Sequence, residues 1–532
     1  MKALIVTIAM AGWAVQSLAN APGVTAKYRY QQAQDGKLVR GEQSVAIPNP
    51  GFEQRASTDA VVEKSVYLVK IANTLKSHLD EFEKACQVEV KPEPRPVPLP
   101  ITGPAPRPLP KGGIMPRPRP RPEPEDNKVC EAKLHAVGDQ LYSAIARLTD
   151  ERVPRDERVI EVLDLARNLA KNMKEAKAQT HHHGGLETTG MHMKSLAAVS
   201  GGLNVTAGGA QNFGQFRKLV KDGYVPNGSS LTIEGFLSEF DLGLERTCDQ
   251  LICVYPAVAV DAEKNKLYVQ IGMGSNVTKE AFQRAPLNVA VVLDISGSMG
   301  ANDNTEKSRL EWAKDAITHT VNQLNAEDVL SIVLFDTESQ ILLQAQNVTN
   351  PQAIIDQVAT LKTGGSTNLE AGLRDGYELV SRQAFDLEGY ENRVILISDA
   401  GLNTGTTSES SLLNLVTNYA NEGIGLTAIG LGLNFNQDFI HGITQSKAGN
   451  YVFVHSGKDM FRYFESFNYL VTPVAFNFKA SLEIEGLGTK LVKAYGVPAK
   501  EDAPVQELID IQTLFFSEGA GGTILLEYDI QK

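Results

Sequence analysis

The stretch Asp294-Ile295-Ser296-Gly297-Ser298-Met299 follows directly after the apolar run Val289-Ala290-Val291-Val292-Leu293. A short β-branched run of this kind is typical of a strand that is buried on both faces of a parallel sheet. At its carboxyl end the chain presents one carboxylate and two hydroxyls, on Asp294, Ser296 and Ser298. Such hard oxygen donors suit Mg²⁺, Ca²⁺ or Mn²⁺ better than zinc. Because ligands bind outside the carboxyl ends of strands in open α/β sheets, the stretch predicts a cation site.

Two further loops offer oxygen ligands at the ends of predicted elements. The loop Thr363-Gly364-Gly365-Ser366-Thr367-Asn368-Leu369 stands at the start of a predicted helix, and Ile397-Ser398-Asp399-Ala400 ends a predicted strand. Because the carboxyl ends of parallel strands meet at one edge, we expect the three loops to lie together. The predicted metal ligands are Asp294, Ser296, Ser298, Thr367 and Asp399. No general base or nucleophile accompanies them, so the pattern favours binding over catalysis and the chain is not expected to be an enzyme.

The region 287–472 alternates strand and helix patterns. Strands are predicted at 288–293, 329–335, 339–344, 393–398, 424–431 and 451–454. Helices are predicted at 306–324, 351–361, 368–385, 408–422, 436–447 and 457–470. This alternation predicts an α/β fold with a doubly wound, mostly parallel sheet. The 339–344 strand follows its predecessor after a short turn, so we expect it to be an antiparallel edge.

The segments on both sides of this unit predict antiparallel β structure. Residues 212–286 contain two short amphipathic helices and then two strands, at about 254–260 and 266–273. Residues 473–532 alternate with a period of two, which is typical of half-buried strands. We therefore expect a carboxyl-terminal β module that joins the two earlier strands in one flanking sheet.

The amino-terminal region begins with a predicted export signal. Residues 1–19 have one lysine, an apolar stretch and small residues before the expected cut, as in a secretory signal peptide; an uncleaved membrane anchor is the alternative. Residues 91–126 are rich in proline and arginine and predict a polyproline II linker, although PxxP segments can also dock into aromatic grooves.

Helical patterns flank this proline-rich linker. They predict a small helical amino-terminal module made of a segment at 22–90, with a hairpin near Asp35-Gly36, and a second segment at 127–180. Residues 181–211 predict a flexible His/Gly-rich linker that contains His181, His182, His183 and His192. A soft-metal site such as copper is the alternative reading of these histidines.

Composition limits the function further. The 532 residues carry a net charge of −12, with 42% hydrophobic and 21% charged residues, which describes a globular protein and argues against a general nucleic-acid binder. The four cysteines suit disulfides in an oxidising compartment, with 86–130 and 248–253 as one of three pairings. Zinc is the competing interpretation, but the chain has no CxxC pair.

The three loops, in order, resemble those of the von Willebrand factor A-type (VWA) family: DISGSM, GGSTN and ISDA match its metal-binding motifs. The resemblance spans the domain 287–472, and the flanking segments are similar to modules of exported bacterial members. It implies a metal-ion-dependent adhesion site (MIDAS). Ser296, Ser298 and Thr367 would ligate the ion through hydroxyls, and Asp294 and Asp399 directly or through water. Mg²⁺ is the expected ion, with Ca²⁺ or Mn²⁺ as alternatives. Ala400 departs from the glycine that the family often has.

These observations predict an exported protein that binds an acidic residue of a protein partner through its metal site. We expect it in the periplasm, at the cell surface or outside the cell, with no membrane span after signal cleavage, no nucleic-acid partner and a possible envelope association. The alternative is a structural cell-envelope protein in which the VWA domain is a scaffold. A metal-dependent hydrolase is a third hypothesis, which lacks a visible base.

Overall fold

The computed structural model describes residues 24–34, 37–47, 52–85, 125–150, 157–176, 203–208, 213–226, 228–238, 249–261, 264–303, 305–399, 409–432, 437–444, 446–454, 467–484, 488–496, 509–517 and 522–531. The strands are β1 Val24–Gln34, β2 Lys37–Ile47, β3 Asn204–Ala207, β4 Cys253–Asp261, β5 Lys266–Gly274, β6 Leu287–Asp294, β7 Val329–Phe335, β8 Ser339–Asn347, β9 Glu391–Ser398, β10 Ile424–Leu431, β11 Gly449–Val454, β12 Pro473–Ile484, β13 Gly488–Tyr495, β14 Ile509–Ser517 and β15 Ile524–Gln531. The helices are α1 Phe52–Ala85, α2 Glu125–Thr149, α3 Glu157–Glu175, α4 Phe213–Lys221, α5 Ile233–Ser238, α6 Arg309–Gln323, α7 Pro351–Ala359, α8 Leu369–Ala384, α9 Glu409–Asn421, α10 Gln437–Thr444 and α11 Phe467–Val471.

A six-stranded sheet forms the central unit, in the order β11-β10-β9-β6-β7-β8. Its strands run parallel except β8, which pairs antiparallel with β7, so the predicted α/β fold and antiparallel edge are confirmed. Every residue of β6, β7 and β10 is buried, as expected for strands covered on both faces. Helix α8 packs closely on β6 because Gly376 has no side chain; a Cβ there would overlap Val292 Cγ2.

A second, nine-stranded sheet combines distant parts of the chain. Its order is β13-β15-β5-β3-β14-β12-β1-β2, with β4 paired to β5. The predicted flanking sheet, which joins the strands before the central unit to those after it, is therefore confirmed. The hairpin near Asp35-Gly36 is also confirmed, since β1 and β2 pair antiparallel from Gln34 and Lys37 outward.

Two sequence interpretations need correction. The 181–211 linker is not wholly irregular, because β3 lies within it and pairs with β14. Its four residues, NVTA, are too few for a sequence pattern to predict a strand, so its pairing with β14 and β5 defines it. The predicted amino-terminal helices are present, but they are joined to the β structure: β1 pairs with β12, and α1 packs on the sheet, where Ser65 Oγ donates to Gln270 Oε1 at 2.6 Å.

The helices α1 to α5 pack together against part of the nine-stranded sheet. Their apolar residues share a core with Ala257 and Ala259 of β4 and Leu525 of β15. Tyr67 of α1 donates to the carbonyl of Leu148 at 2.6 Å and so joins α1 to the end of α2. The amino-terminal helices are therefore part of the flanking unit.

The two sheets meet at the amino-terminal edge of the six-stranded sheet. Ala448, just before β11, donates its backbone N–H to Thr513 Oγ1 of β14 at 2.7 Å. Arg393, near the start of β9, donates to the carbonyl of Ala448 at 3.0 Å and lies 5.6 Å from the ring centroid of Phe515. Because Arg393 precedes the last residue of β9 by five residues, the junction lies about 17 Å along the strand from the opposite edge.

The remaining predictions are resolved only in part. Within the described residues, no helix combines the length and apolarity that a membrane crossing requires. Cys130 and Cys253 are both disulfide-bonded, but the pairings 86–130 and 248–253 stay predictions because residues 86 and 248 lie outside the described part. The signal peptide, most of the 91–126 linker, the histidine cluster, residues 457–466 and Ala400 also lie outside it.

Candidate metal centre

The first loop begins where β6 ends. The backbone N–H of Ser296 donates to Asp294 Oδ1 at 2.9 Å, so the loop turns around the carboxylate. The hydroxyls of Ser296 and Ser298 lie 3.0 Å apart. Asp294 and Ser296 are buried, with 0% and 1% exposure, while Ser298 is exposed at the start of a short 3₁₀ helix, Gly297–Gly300. The three predicted ligands of this loop are therefore adjacent, and one of them reaches the surface.

The second loop is fastened to the first by backbone hydrogen bonds. Gly297 N–H donates to the carbonyl of Gly365 at 3.2 Å, and Gly364 N–H donates to the carbonyl of Ile295 at 2.8 Å. Gly365 has a φ of +70°, and a Cβ there would lie 2.7 Å from Asp336, so glycine is required at this turn. Thr367 lies two residues later and is 1% exposed. The structure thus brings the threonine loop against the serine loop, as predicted.

The third contribution comes from the end of β9. Ser398 Oγ donates to Asp294 Oδ2 at 2.7 Å and so joins β9 to the aspartate at the end of the neighbouring β6. The sequence reasoning did not select Ser398, although it immediately precedes Asp399 and belongs to the quoted motif. Asp399 follows it at the same edge and is 3% exposed. All five predicted ligands therefore lie in loops at the carboxyl edge of the sheet.

Arg309 is the second residue that the sequence reasoning missed. It is the first residue of α6, directly after the capping residue Ser308. Its Nη1 donates to Asp399 Oδ2 at 2.7 Å, and its Nε and Nη2 donate to the two carboxylate oxygens of Asp303 at 2.6 and 2.7 Å. Burial lowers the pKa of Arg309, but the two aspartates more than offset this effect and raise the pKa above its usual value. Only a structure could reveal that an arginine of α6 reaches the third loop.

The electrostatics of Asp294 fit a cation. Burial raises the pKa of the Asp294 carboxyl to about 6, and Asp399 adds to the increase, although hydrogen bonds from Ser398 and Ser296 oppose it. None of the ion pairs among the described residues includes Asp294. A buried carboxylate without a cationic neighbour is stabilised when a cation binds to it.

The donor set indicates which kind of cation would fit. Within the described ranges, no group of three or more His, Cys, Asp and Glu side chains is close enough to hold a metal. An ion at Asp294 would depend on the hydroxyls of Ser296, Ser298 and Thr367 together with the carboxylates. Hydroxyl and carboxylate oxygens are hard ligands, which fit Mg²⁺ or Mn²⁺ better than a soft metal.

Comparison with known proteins agrees with this architecture. Residues 289–403 match the von Willebrand factor type A domain family. The chain is 29% identical over 174 residues to the uncharacterized protein sll0103 of Synechocystis sp. This alignment covers 33% of this chain and 39% of that protein. It is also 26% identical over 212 residues to inter-alpha-trypsin inhibitor heavy chain H1 of Sus scrofa. This alignment covers 38% of this chain and 21% of that protein. The chain thus spans well under half of the length of these relatives.

Among solved structures, a von Willebrand factor type A protein from Catenulispora acidiphila is similar, with a TM-score of 0.34 and 11% identity over 53% of this chain and 66% of that chain. The family match begins within β6, extends through β9 and includes the first and second loops of the candidate site as well as Asp399. The chain therefore contains a von Willebrand factor type A domain, which the family match places at residues 289–403 of the central α/β unit.

Proposed function

We propose that this chain is an exported, metal-ion-dependent binding protein whose MIDAS-type site binds an acidic residue of a protein partner. A Mg²⁺-type ion would be held by Asp294, Ser296, Ser298, Thr367 and Asp399. The observation that carries the proposal is the buried Asp294 carboxylate, which accepts hydrogen bonds from Ser398 and Ser296 and has no described cationic partner.

The ligand set favours an anionic partner. Only two of the five proposed ligands are carboxylates, and Asp399 is already paired with Arg309. Neutral hydroxyl ligands leave a divalent ion with positive charge, which a carboxylate oxygen of an Asp or Glu can neutralise. The neighbouring exposed residues are small, namely Gly297, Ser298, Gly300 and Ala301, so another protein can approach the site closely.

The proposed location outside the cytoplasm has independent support. The disulfide bonds at Cys130 and Cys253 are typical of proteins in oxidising compartments. Divalent cations are available there, whereas ATP is not, so a site that only binds a cation suits such a location. The described hydrogen bonds to Asp294 come from Ser296 and Ser398, and none comes from a histidine that could act as a general base, which supports binding over hydrolysis.

The test has two steps. In the first, calorimetric titration with Mn²⁺ compares the wild type with Asp294→Ala and with a control, Asp386→Ala, which removes an exposed carboxylate after α8. We expect Mn²⁺ binding by the wild type and by the control, and none by Asp294→Ala. Equal affinity of all three proteins for Mn²⁺ contradicts the proposal.

In the second step, the same three proteins are used to capture partners from an envelope extract, in Mg²⁺ and in EDTA. The proposal expects a partner that the wild type and the Asp386→Ala control retain in Mg²⁺ and lose in EDTA. The same partner should be absent with Asp294→Ala. Retention that is identical in Mg²⁺ and in EDTA counts against a metal-dependent contact.

The second candidate function is a structural envelope protein with the VWA domain as a scaffold. It is favoured by the junction of the two sheets, where Arg393, Ala448 and Thr513 form a buried polar contact. Under this hypothesis, binding resides in the nine-stranded unit and its helices. Partner retention that persists with Asp294→Ala and in EDTA would support the scaffold function.

A further inference from the structure

Arg309 is buried at the carboxyl edge of the six-stranded sheet and contacts several segments at once. Besides Asp303 and Asp399, its Nη1 lies 3.3 Å from the carbonyl oxygen of Ser298 in the first loop. Its own backbone N–H donates to the carbonyl of Ala301 at 2.8 Å. The side chain is only 6% exposed. One guanidinium therefore connects the serine loop, the start of α6 and the third-loop aspartate.

The surrounding backbone is shaped to hold this guanidinium. Gly432, just after β10, has a φ of +82°, and a Cβ there would overlap Arg309 Nε. Asp303 has a φ of +45°, a left-handed conformation that is uncommon for a residue other than glycine. Backbone strain of this kind persists only where the neighbouring contacts impose it. The position of Arg309 is thus determined from several sides.

The positive charge of Arg309 affects how well the site, with a cation bound, can accept a carboxylate. The three aspartates Asp294, Asp303 and Asp399 together with Arg309 give the cluster a net charge of −2. A divalent ion brings this charge to zero, so an incoming carboxylate meets a neutral cluster with an exposed cation. Without Arg309 the loaded cluster would keep a net negative charge, which repels an acidic ligand.

We propose that Arg309 sets the charge of this site: it offsets the charge of Asp399, so that a bound divalent ion accepts a carboxylate, and its hydrogen bonds stabilise the loops around it. The proposal rests on the proposed function, because it concerns the same metal site. Its geometric basis is the shared guanidinium, with one carboxylate in the third loop and the other in the segment before α6.

Two substitutions change the cluster charge in opposite directions and give opposite expectations. Arg309→Met makes the cluster more negative, so Mn²⁺ affinity should rise about three- to tenfold and acetate affinity for the Mn²⁺-loaded protein should fall by a similar factor. Asp303→Asn makes the cluster less negative, so both affinities should shift by similar factors in the reverse directions. Loss of structure alone cannot tighten either interaction.

A third variant separates charge from position. Arg309→Lys keeps the positive charge but loses the bidentate hydrogen bonding to the Asp303 carboxylate. We expect its Mn²⁺ affinity to stay within about twofold of the wild type, because the charge sum is unchanged. Its melting temperature in EDTA should fall, because a lysine cannot reproduce the contacts with Asp303, Asp399 and Ser298 simultaneously.

The experiment measures Mn²⁺ binding by calorimetry, acetate binding by water-proton relaxation of the Mn²⁺-loaded protein, and thermal unfolding in EDTA. Tighter Mn²⁺ binding and weaker acetate binding by Arg309→Met, together with the reverse changes in Asp303→Asn, support the proposal. Shifts in the same direction, or no shift, overturn it even when the wild type binds Mn²⁺ through Asp294. If Arg309→Met does not fold, an unchanged or tightened Mn²⁺ affinity of Asp303→Asn overturns the proposal on its own. A wild type that binds no Mn²⁺ removes both this proposal and the proposed function.

Discussion

The two edges of the six-stranded sheet each bury an arginine beside a carboxylate, and they differ in what surrounds the carboxylate. At the amino-terminal edge, Asp328 accepts hydrogen bonds from Nη1 and Nη2 of Arg284 at 2.9 and 2.6 Å. It also accepts the backbone N–H groups of Leu287 and Asn325 at 2.7 and 2.6 Å. Each oxygen of this carboxylate accepts one hydrogen bond from the guanidinium and one from a backbone N–H, so the carboxylate needs no bound cation.

At the carboxyl edge the donors are distributed differently. Arg309 is shared between Asp303 and Asp399, while the more deeply placed Asp294 receives only neutral donors. The comparison teaches that a buried carboxylate alone does not indicate a site. The distinguishing feature is whether its negative charge is already offset within the chain, and only Asp294 lacks a described cationic partner.

The largest effect is expected from removing the carboxylate at the amino-terminal edge. Asp328→Ala should lower the free energy of unfolding by about 3–5 kcal/mol, because it leaves the buried Arg284 without its carboxylate. Urea unfolding in EDTA and in Mn²⁺ measures the loss. We expect the same loss in both conditions, and a loss that depends on Mn²⁺ would mean that the two edges are coupled.

At the carboxyl edge, removal of the buried charge should not lower stability. Asp294→Asn should weaken Mn²⁺ binding by at least about 100-fold, because the amide removes the anionic ligand. In EDTA at pH 7 its free energy of unfolding should be unchanged or higher by up to about 3 kcal/mol, since an ionised carboxylate is no longer buried. Calorimetry and urea unfolding check the two halves, and a large loss of stability in EDTA would show that Asp294 is mainly structural.

Two glycines at opposite ends of β10 give a matched comparison. Gly423 and Gly432 have φ values of +89° and +82°, but a Cβ at Gly423 meets nothing within 4 Å whereas one at Gly432 overlaps Arg309. Gly423→Ala should cost about 1 kcal/mol of stability, from the backbone conformation alone, and Gly432→Ala about 2–3 kcal/mol. Thermal unfolding measures both, and equal costs would show that Arg309 can move away without penalty.

A smaller effect follows from the raised pKa of Asp294, which shifts from 3.8 to about 6. Without metal, protonation of Asp294 favours the folded state, so its stabilising contribution is complete below pH 4 and is lost as the pH rises through 6. Metal binding needs the ionised form, so Mn²⁺ affinity should fall about tenfold for each pH unit below 6. Calorimetry between pH 5 and 8 measures this slope, and an affinity that stays constant between pH 6 and pH 5 would contradict the prediction.

The sequence predicts the central sheet well because its strands carry their own signals. The apolar runs that became β6, β7 and β10 are buried on both faces, so their residue types follow directly from their environment. The positions of Asp294 and Asp399 at strand ends follow from the same alternation. The antiparallel direction of β8 could be inferred because its connection to β7 is too short for a crossover.

The parts that the sequence could not predict depend on partners that are distant in the chain. Strand β3 is defined by β14, and the packing of α1 on the sheet is defined by contacts such as that of Ser65 with Gln270. The roles of Ser398 and Arg309 likewise arise from neighbours in other loops. A serine and an arginine are common residue types, so nothing in their local sequence distinguishes them.

The pairing of β1 with β12 has a consequence for how the protein is made. Gln31 accepts a hydrogen bond from Asn477 at 2.7 Å, across 446 residues of sequence. A ribosome synthesises β1 long before β12. The backbone groups of β1 that pair with β12 therefore have no partner until almost the whole chain has been made. The nine-stranded sheet therefore forms late, and such long-range pairing is slow and exposed to aggregation. Such delayed assembly fits the export that we propose for this chain, because a chain that crosses a membrane unfolded completes its sheet on the far side.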